Sequence, residues 1–290
     1  IFSAKLKAFV NASVIKVRLE KLNMSAVDIA LLLTPPLVNT LHSTGEATGS
    51  SGMGSFLIAY ALAFILYMVL TLYGVGVMRS VVQEKTSRVM EFLVGAVKPQ
   101  SLMSGKILGV GGAAIIQLTV WLSVGALALA YRETVLGWFG ITGAGAAALP
   151  PLAATEITVT LVFFVLGYFF YSSMYAAVGA MVSSEQDTQQ VQMPVTMLLV
   201  IGVMCLQVVS NAPRGSTASL MTMIPLWSPM LMPMRYVLGG ATLGEVAISI
   251  AILLVATVLV SRAAAKIYRV GVLLYGKRPS LKELFRWLRY

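Results

Sequence analysis

Ser55–Met78 runs for 24 residues without a charge, and Ile107–Ala130 does the same over another 24. A bilayer core of about 30 Å is crossed by roughly 20 helical residues at 1.5 Å each. Inside it, every backbone N–H and C=O must find a partner within the protein. Runs of this kind therefore dictate membrane-spanning helices. Three more follow: the aromatic-rich Ile157–Ser184, about Val191–Ser210 with Pro194 near its start, and about Gly239–Ser261. Only 11% of the 290 residues are charged and 58% are apolar, whereas about a quarter are charged in soluble domains. The chain reads as an all-α integral membrane protein, a polytopic helical bundle with five spans visible.

The intervening segments divide the chain. Residues 1–53 are mixed and end in the Gly/Ser/Thr-rich "HSTGEATGSSGMG", which reads as the C-terminal part of an external region plus a linker. Residues 54–270 form the transmembrane domain. Within it, 211–238 is apolar but cut by Pro213, Pro225, Pro229 and Pro233, so it cannot span as one helix and reads as external or re-entrant pieces. Residues 271–290 form a tail in which Ser280 and Glu283 fit a capping box. Leu281, Leu284, Phe285 and Leu288 then share one face, as expected of a basic amphipathic helix lying on membrane lipid or packing on a cytoplasmic partner.

The net charge of +10 does not point to nucleic acid, because the charges cluster beside apolar runs. There they set orientation. Five Lys/Arg lie in 79–106 and eight from Arg262 onward, against one in 131–156 and two in 211–244. The 79–106 loop and the C-terminus are therefore expected on the cytoplasmic side of a cell inner (plasma) membrane, and the N-terminal region outside. An external start calls for an earlier span, so a first span is expected to be missing from this sequence.

One cytoplasmic stretch concentrates charge. "QEKTSRVMEFL" places Glu84, Lys85, Arg88 and Glu91 within eight residues. As a helix it sets Glu84, Ser87, Arg88 and Glu91 on one face and Val82, Val89, Met90 and Leu93 on the other. The Glu84–Arg88 and Arg88–Glu91 pairs add only about 0.3–0.5 kcal/mol each. An elbow between two spans and a docking knob for a cytoplasmic protein both fit this pattern.

The segment "VVQEKTSRVMEFLVGAVKPQSLMSGKILGVG" resembles the cytoplasmic loop of ABC-2 type transporter permeases, in the branch that includes NatB-like sodium-efflux permeases. The resemblance rests on Glu84, Lys85, Arg88, Met90 and Glu91, then on Pro99 and the Gly105–Gly109 restart "GKILG". "YAAVGAMVSSEQDTQQVQMP", "IPLWSPMLMPMR" and "RVGVLLYGKRPSLKELFRW" are similar to that branch as well. The resemblance implies a bundle of the ABC-2 exporter type, acting with a second permease copy or paralogue and with ATP-binding subunits that carry ATP and Mg²⁺. It also implies that 80–94 is a coupling helix seated on the ATPase, with Glu84, Lys85, Arg88, Met90 and Glu91 as the coupling residues. No cofactor is expected on this chain, and no G-x-x-x-x-G-K-[ST] occurs in it.

Other polar features are open to two readings. Phe164, Tyr168, Tyr171 and Tyr175 form one stripe and Tyr60, Phe64 and Tyr67 another; each is either helix packing or a wall of the substrate path. Gln117 and Gln207 are either interhelical hydrogen bonds or substrate contacts. Gly105, Gly109 and Gly112 read as a close-packing face. Span interiors hold no Asp, Glu, Lys or Arg apart from Glu245 near one end, which argues against an ion-coupled carrier and weakens Na⁺ as cargo. A single His and a single Cys, with no paired Asp inside the spans, leave no catalytic or metal set. The expected function is the permease subunit of an ATP-driven exporter, substrate unspecified. The alternative is an ATPase-independent channel or scaffold.

Overall fold

The computed structural model describes residues 52–87, 89, 95–138, 140, 152–182, 184 and 186–272. Eight helices lie in this part: α1 Gly52–Thr86, α2 Pro99–Ala130, α3 Arg132–Trp138, α4 Ala154–Met181, α5 Thr188–Asn211, α6 Ser216–Met223, α7 Ser228–Val237 and α8 Leu243–Gly271. Among the described residues there is no strand. Five helices, α1, α2, α4, α5 and α8, are long and apolar enough to cross a membrane. The chain is thus an all-helical, multi-pass membrane protein.

α4 is the hub, packing most extensively on α8 and α1. In its most apolar window 56% of residues are buried, against 17% in α2, so α2 is peripheral. Sequence explains the difference. α4 alternates small residues and aromatics, which nest into its neighbours. α2 turns Leu108, Ile116, Val120 and Val124 outward, where lipid tails solvate them as well as a protein core would.

Pro99 begins α2, where its missing N–H costs nothing. The 211–238 segment folds as α6 and α7, and nearly all of α7 is buried. Pro229 of α7 lies against Gly167 of α4, where an added Cβ would come within 2.5 Å of the proline ring. α8 opens on a capping box: Glu245 N–H donates to Thr242 Oγ1 at 3.3 Å, and Thr242 N–H to Glu245 Oε2 at 2.9 Å.

The helix of the first span does not stop at the membrane edge expected near Met78. α1 continues through Thr86, so Glu84 and Lys85 belong to the last turns of a spanning helix. The external region, the N-terminal linker through Ser51 and the tail helix lie outside the described residues.

Candidate functional site

The last turns of α1 bury Met78, Val81, Val82 and Lys85 on one face and expose Arg79, Gln83 and Thr86. Lys85 is 1% exposed. Its neighbours explain how an ammonium is held there. The last carbonyls of any α-helix lack intrahelical donors and carry partial negative charge, and α4 and α8 both end beside α1. Lys85 Nζ donates to Ala180 O at 2.6 Å and to Gly271 O at 2.7 Å. One side chain therefore ties three helix ends together. The convergence needs small residues: a Cβ on Gly179 would lie 2.8 Å from Met78 O, and one on Gly271 would lie 3.0 Å from Ala180 O.

Beside this bolt, Glu84 Oε1 pairs with Lys106 of α2. Lys106 Nζ also donates to Ser80 Oγ at 2.8 Å, so α1 and α2 are joined at the same level. The other Glu84 oxygen is buried without a hydrogen-bond partner among the described residues, and so is the hydroxyl of Tyr268 on α8. Tyr268 is near enough to Glu84 to feel its charge. Glu84, Lys85, Ser80, Lys106 and Tyr268 thus form a polar junction among the ends of α1, α2, α4 and α8.

The geometry places part of the expected coupling set inside the bundle. Lys85 does not face an outside partner; it is enclosed by three helices, because two helix C-termini offer it carbonyls there. Glu84 is engaged by Lys106 across α1 and α2. Arg88, Met90 and Glu91 lie outside the described residues, while Val89 is described and exposed. Sequence reasoning missed Lys106 and Tyr268 as members of the junction. Only the position of Lys106 in "GKILG" hinted at it.

The tyrosine stripe of α4 is interior. Tyr168 donates to Ile107 O at 2.8 Å, Tyr171 to Leu226 O, and the Tyr175 hydroxyl lies 2.9 Å from Thr196 Oγ1. All three rings are buried, with Tyr168 against Gly111 and Tyr175 against Gly74. They join α4 to α1, α2, α5 and the segment before α7, and they do not wall an open path. Tyr60 and Tyr67 on α1 are half-buried. Gln117 accepts from the Tyr73 hydroxyl, linking α2 to α1. Gln207 is exposed and donates to Asn211 Oδ1 one turn along its own helix at 3.3 Å, so it is not an interhelical bond. The glycine face is also corrected. Nothing among the described residues lies within 4 Å of a Cβ placed on Gly105, Gly109 or Gly112, and the close-packed glycine of α2 is Gly111.

A polar cavity of about 280 Å³ opens next to the junction, between the end of α1 and the start of α5. Arg79, Val82, Gln83, Thr188, Gln189 and Gln192 line it. Two of its amides, Gln189 and Gln192, come from "DTQQVQMP" at the entry of a span, and the third, Gln83, from the last turns of α1. At the opposite end of the bundle, Arg235 of α7 is buried. It donates to Pro213 O at 2.7 Å, to Thr222 Oγ1 at 3.3 Å and to Glu245 Oε1 at 2.9 Å. Among the described residues no three of His, Cys, Asp and Glu come together as a metal site would require.

Comparison with known proteins adds the family. Residues 4–266 match the family model described as "ABC-2 family transporter protein". The chain is 30% identical to "Uncharacterized protein YhaP" of Bacillus subtilis (strain 168) over 93% of its own length and 64% of that protein. It is 26% identical to "Uncharacterized protein MJ1024" of Methanocaldococcus jannaschii over 80% of its length and 54% of that protein. The chain therefore spans between half and two thirds of the curated relatives it matches. No solved structure matches it. Five apolar spans, a polar junction at the base of the bundle and a family match over most of the sequence agree: this chain belongs to the ABC-2 family of membrane transport proteins.

Proposed function

We propose that this chain is the permease subunit of an ATP-driven exporter, of the NatB-like branch, in which a separate ATP-binding subunit docks on the loop that follows α1. The observation that carries the reading is the Lys85 bolt. The loop begins two residues past Lys85, and Lys85 holds the ends of α1, α4 and α8 together. A displacement of the loop is then delivered to three spans at once instead of bending one.

ATP and Mg²⁺ belong to the partner in this scheme, and the C-terminus is cytoplasmic. A second permease copy or a paralogue packs beside α5, whose stripe of Met193, Met197, Ile201 and Met204 is exposed among the described residues. The substrate path starts at the polar cavity between α1 and α5 and continues along α1 past Tyr67 and Tyr60. Cargo enters there among amides and one guanidinium, a set that suits a polar or anionic group better than a bare Na⁺.

Reversing the charge of Arg88 or of Glu91 is expected to abolish ATP-dependent export while leaving membrane insertion intact. An ATP-binding subunit is expected to co-purify in stoichiometric amount with the unaltered chain and to be lost from the variants. Full export by both reversed variants would overturn the docking role. Absence of any co-purifying ATPase would favour a channel or scaffold.

A further inference from the structure

A second cavity lies on the flank of the bundle, between the first turns of α2 and the last turns of α8, with Phe169 of α4 at its floor. Its volume is about 590 Å³. Met103, Phe169, Val258 and Ala265 give it apolar lining, among the polar Gln100, Ser104, Thr257 and Ser261, and Arg262 and Lys266 lie one and two turns past Val258 toward the α8 C-terminus. Arg262 and Lys266 are four residues apart, so both project from one face of α8. Both are exposed, and Arg262 takes part in no ion pair among the described residues.

The helices on either side turn apolar residues outward: Leu108 and Ile116 on α2, Val255 and Leu259 on α8. The cavity therefore opens toward acyl chains and not toward water. A guanidinium on such a flank is costly unless it meets an anion or reaches the headgroup layer. Basic pockets between spans at headgroup depth suit lipid phosphates. The first turn of α2 faces the same end and adds its positive dipole.

From this we infer that the α2–α8 groove is a binding site for an anionic phospholipid. Its phosphate is held by Arg262, Lys266 and the Ser104 hydroxyl, and one acyl chain lies over Met103, Phe169 and Val258. The lipid is a resident ligand of the flank, separate from cargo in the α1–α5 cavity. By filling the groove it fixes α2, the least embedded span, against α8.

The test uses the full chain, delipidated in detergent and loaded with dioleoylphosphatidylglycerol or dioleoylphosphatidylcholine, with retained lipid read by native mass spectrometry. Phosphatidylglycerol is expected to be retained in preference. Each basic side chain near the surface adds a comparable increment, so Arg262→Gln with Lys266→Gln should weaken retention about thirtyfold. Arg262→Lys with Lys266→Arg should restore it, which separates charge recognition from misfolding. Val258→Trp fills the groove without altering charge and should also lower retention; unchanged retention would overturn the acyl-chain placement. Equal retention of the two lipids, or an unchanged preference in the double Gln variant, overturns the proposal. An arm with inorganic phosphate distinguishes the source: if it displaces phosphatidylglycerol at millimolar concentration, the site recognises free anions and the lipid assignment fails.

Discussion

Lys85 shows how a charge can be interior and still pay its way in a bundle of this kind. Its ammonium replaces water with two carbonyls in the last turns of their helices, where intrahelical donors run out. Lys85→Met would keep the stem packing and remove both charge-assisted bonds, and the expected loss is about 2–3 kcal/mol, read as a lower midpoint of thermal unfolding in detergent. Tyr268→Phe should behave in the opposite way. The hydroxyl is buried without a partner among the described residues, so its removal should leave the midpoint unchanged or raise it. In the proposed exporter, a bond from this hydroxyl to Glu84 in another conformation would make the same variant lose export although it is no less stable. The charge cluster was legible in sequence, but its direction was not. Helical periodicity sorts residues onto faces, and which face meets neighbouring helices depends on where α4 and α8 end.

At the scale of the element, the glycines of α2 separate pattern from packing. Gly105, Gly109 and Gly112 have the spacing of a contact face, yet each has open space beside it among the described residues. Gly111 breaks that spacing and is the one on which the Tyr168 ring rests, 2.6 Å from where a Cβ would be. Gly109→Ala should therefore be neutral or stabilising by up to about 1 kcal/mol, the helix preference for alanine over glycine. Gly111→Ala must displace a ring whose hydroxyl is bonded to Ile107 O, with an expected cost of about 1–3 kcal/mol. Thermal unfolding of the two variants side by side decides it, and equal effects would mean that the α2–α4 contact is looser than drawn. The helices themselves were readable because uncharged runs of that length have one solution in a bilayer. Their mates were not, since lipid and protein are equally apolar and the hydrophobic pattern does not distinguish them.

On the scale of the whole molecule, the bundle is pinned by polar contacts at both ends and by tyrosine hydroxyls between them. Arg235 and Glu245 are the pin at the end away from Lys85, and their surroundings are unequal: the arginine side chain is 3% exposed, the carboxylate 27%. Breaking a buried pair costs about 3–5 kcal/mol, chiefly through the charge left without compensation. The two single variants should therefore differ. Glu245→Leu strands a buried guanidinium and removes the acceptor that caps the first turn of α8, so it should be the more damaging. Arg235→Met leaves a carboxylate that still reaches solvent and keeps its bonds to Ser219 and Thr242, so its cost should lie at or below the low end of that range. The Arg235→Met, Glu245→Leu double variant should be more stable than Glu245→Leu alone, because no charge is then stranded. Unfolding midpoints of the three proteins test this order, and a double variant weaker than both singles would show that the pin acts through its wider hydrogen-bond network to Pro213 and Thr222 and not through the charge pair.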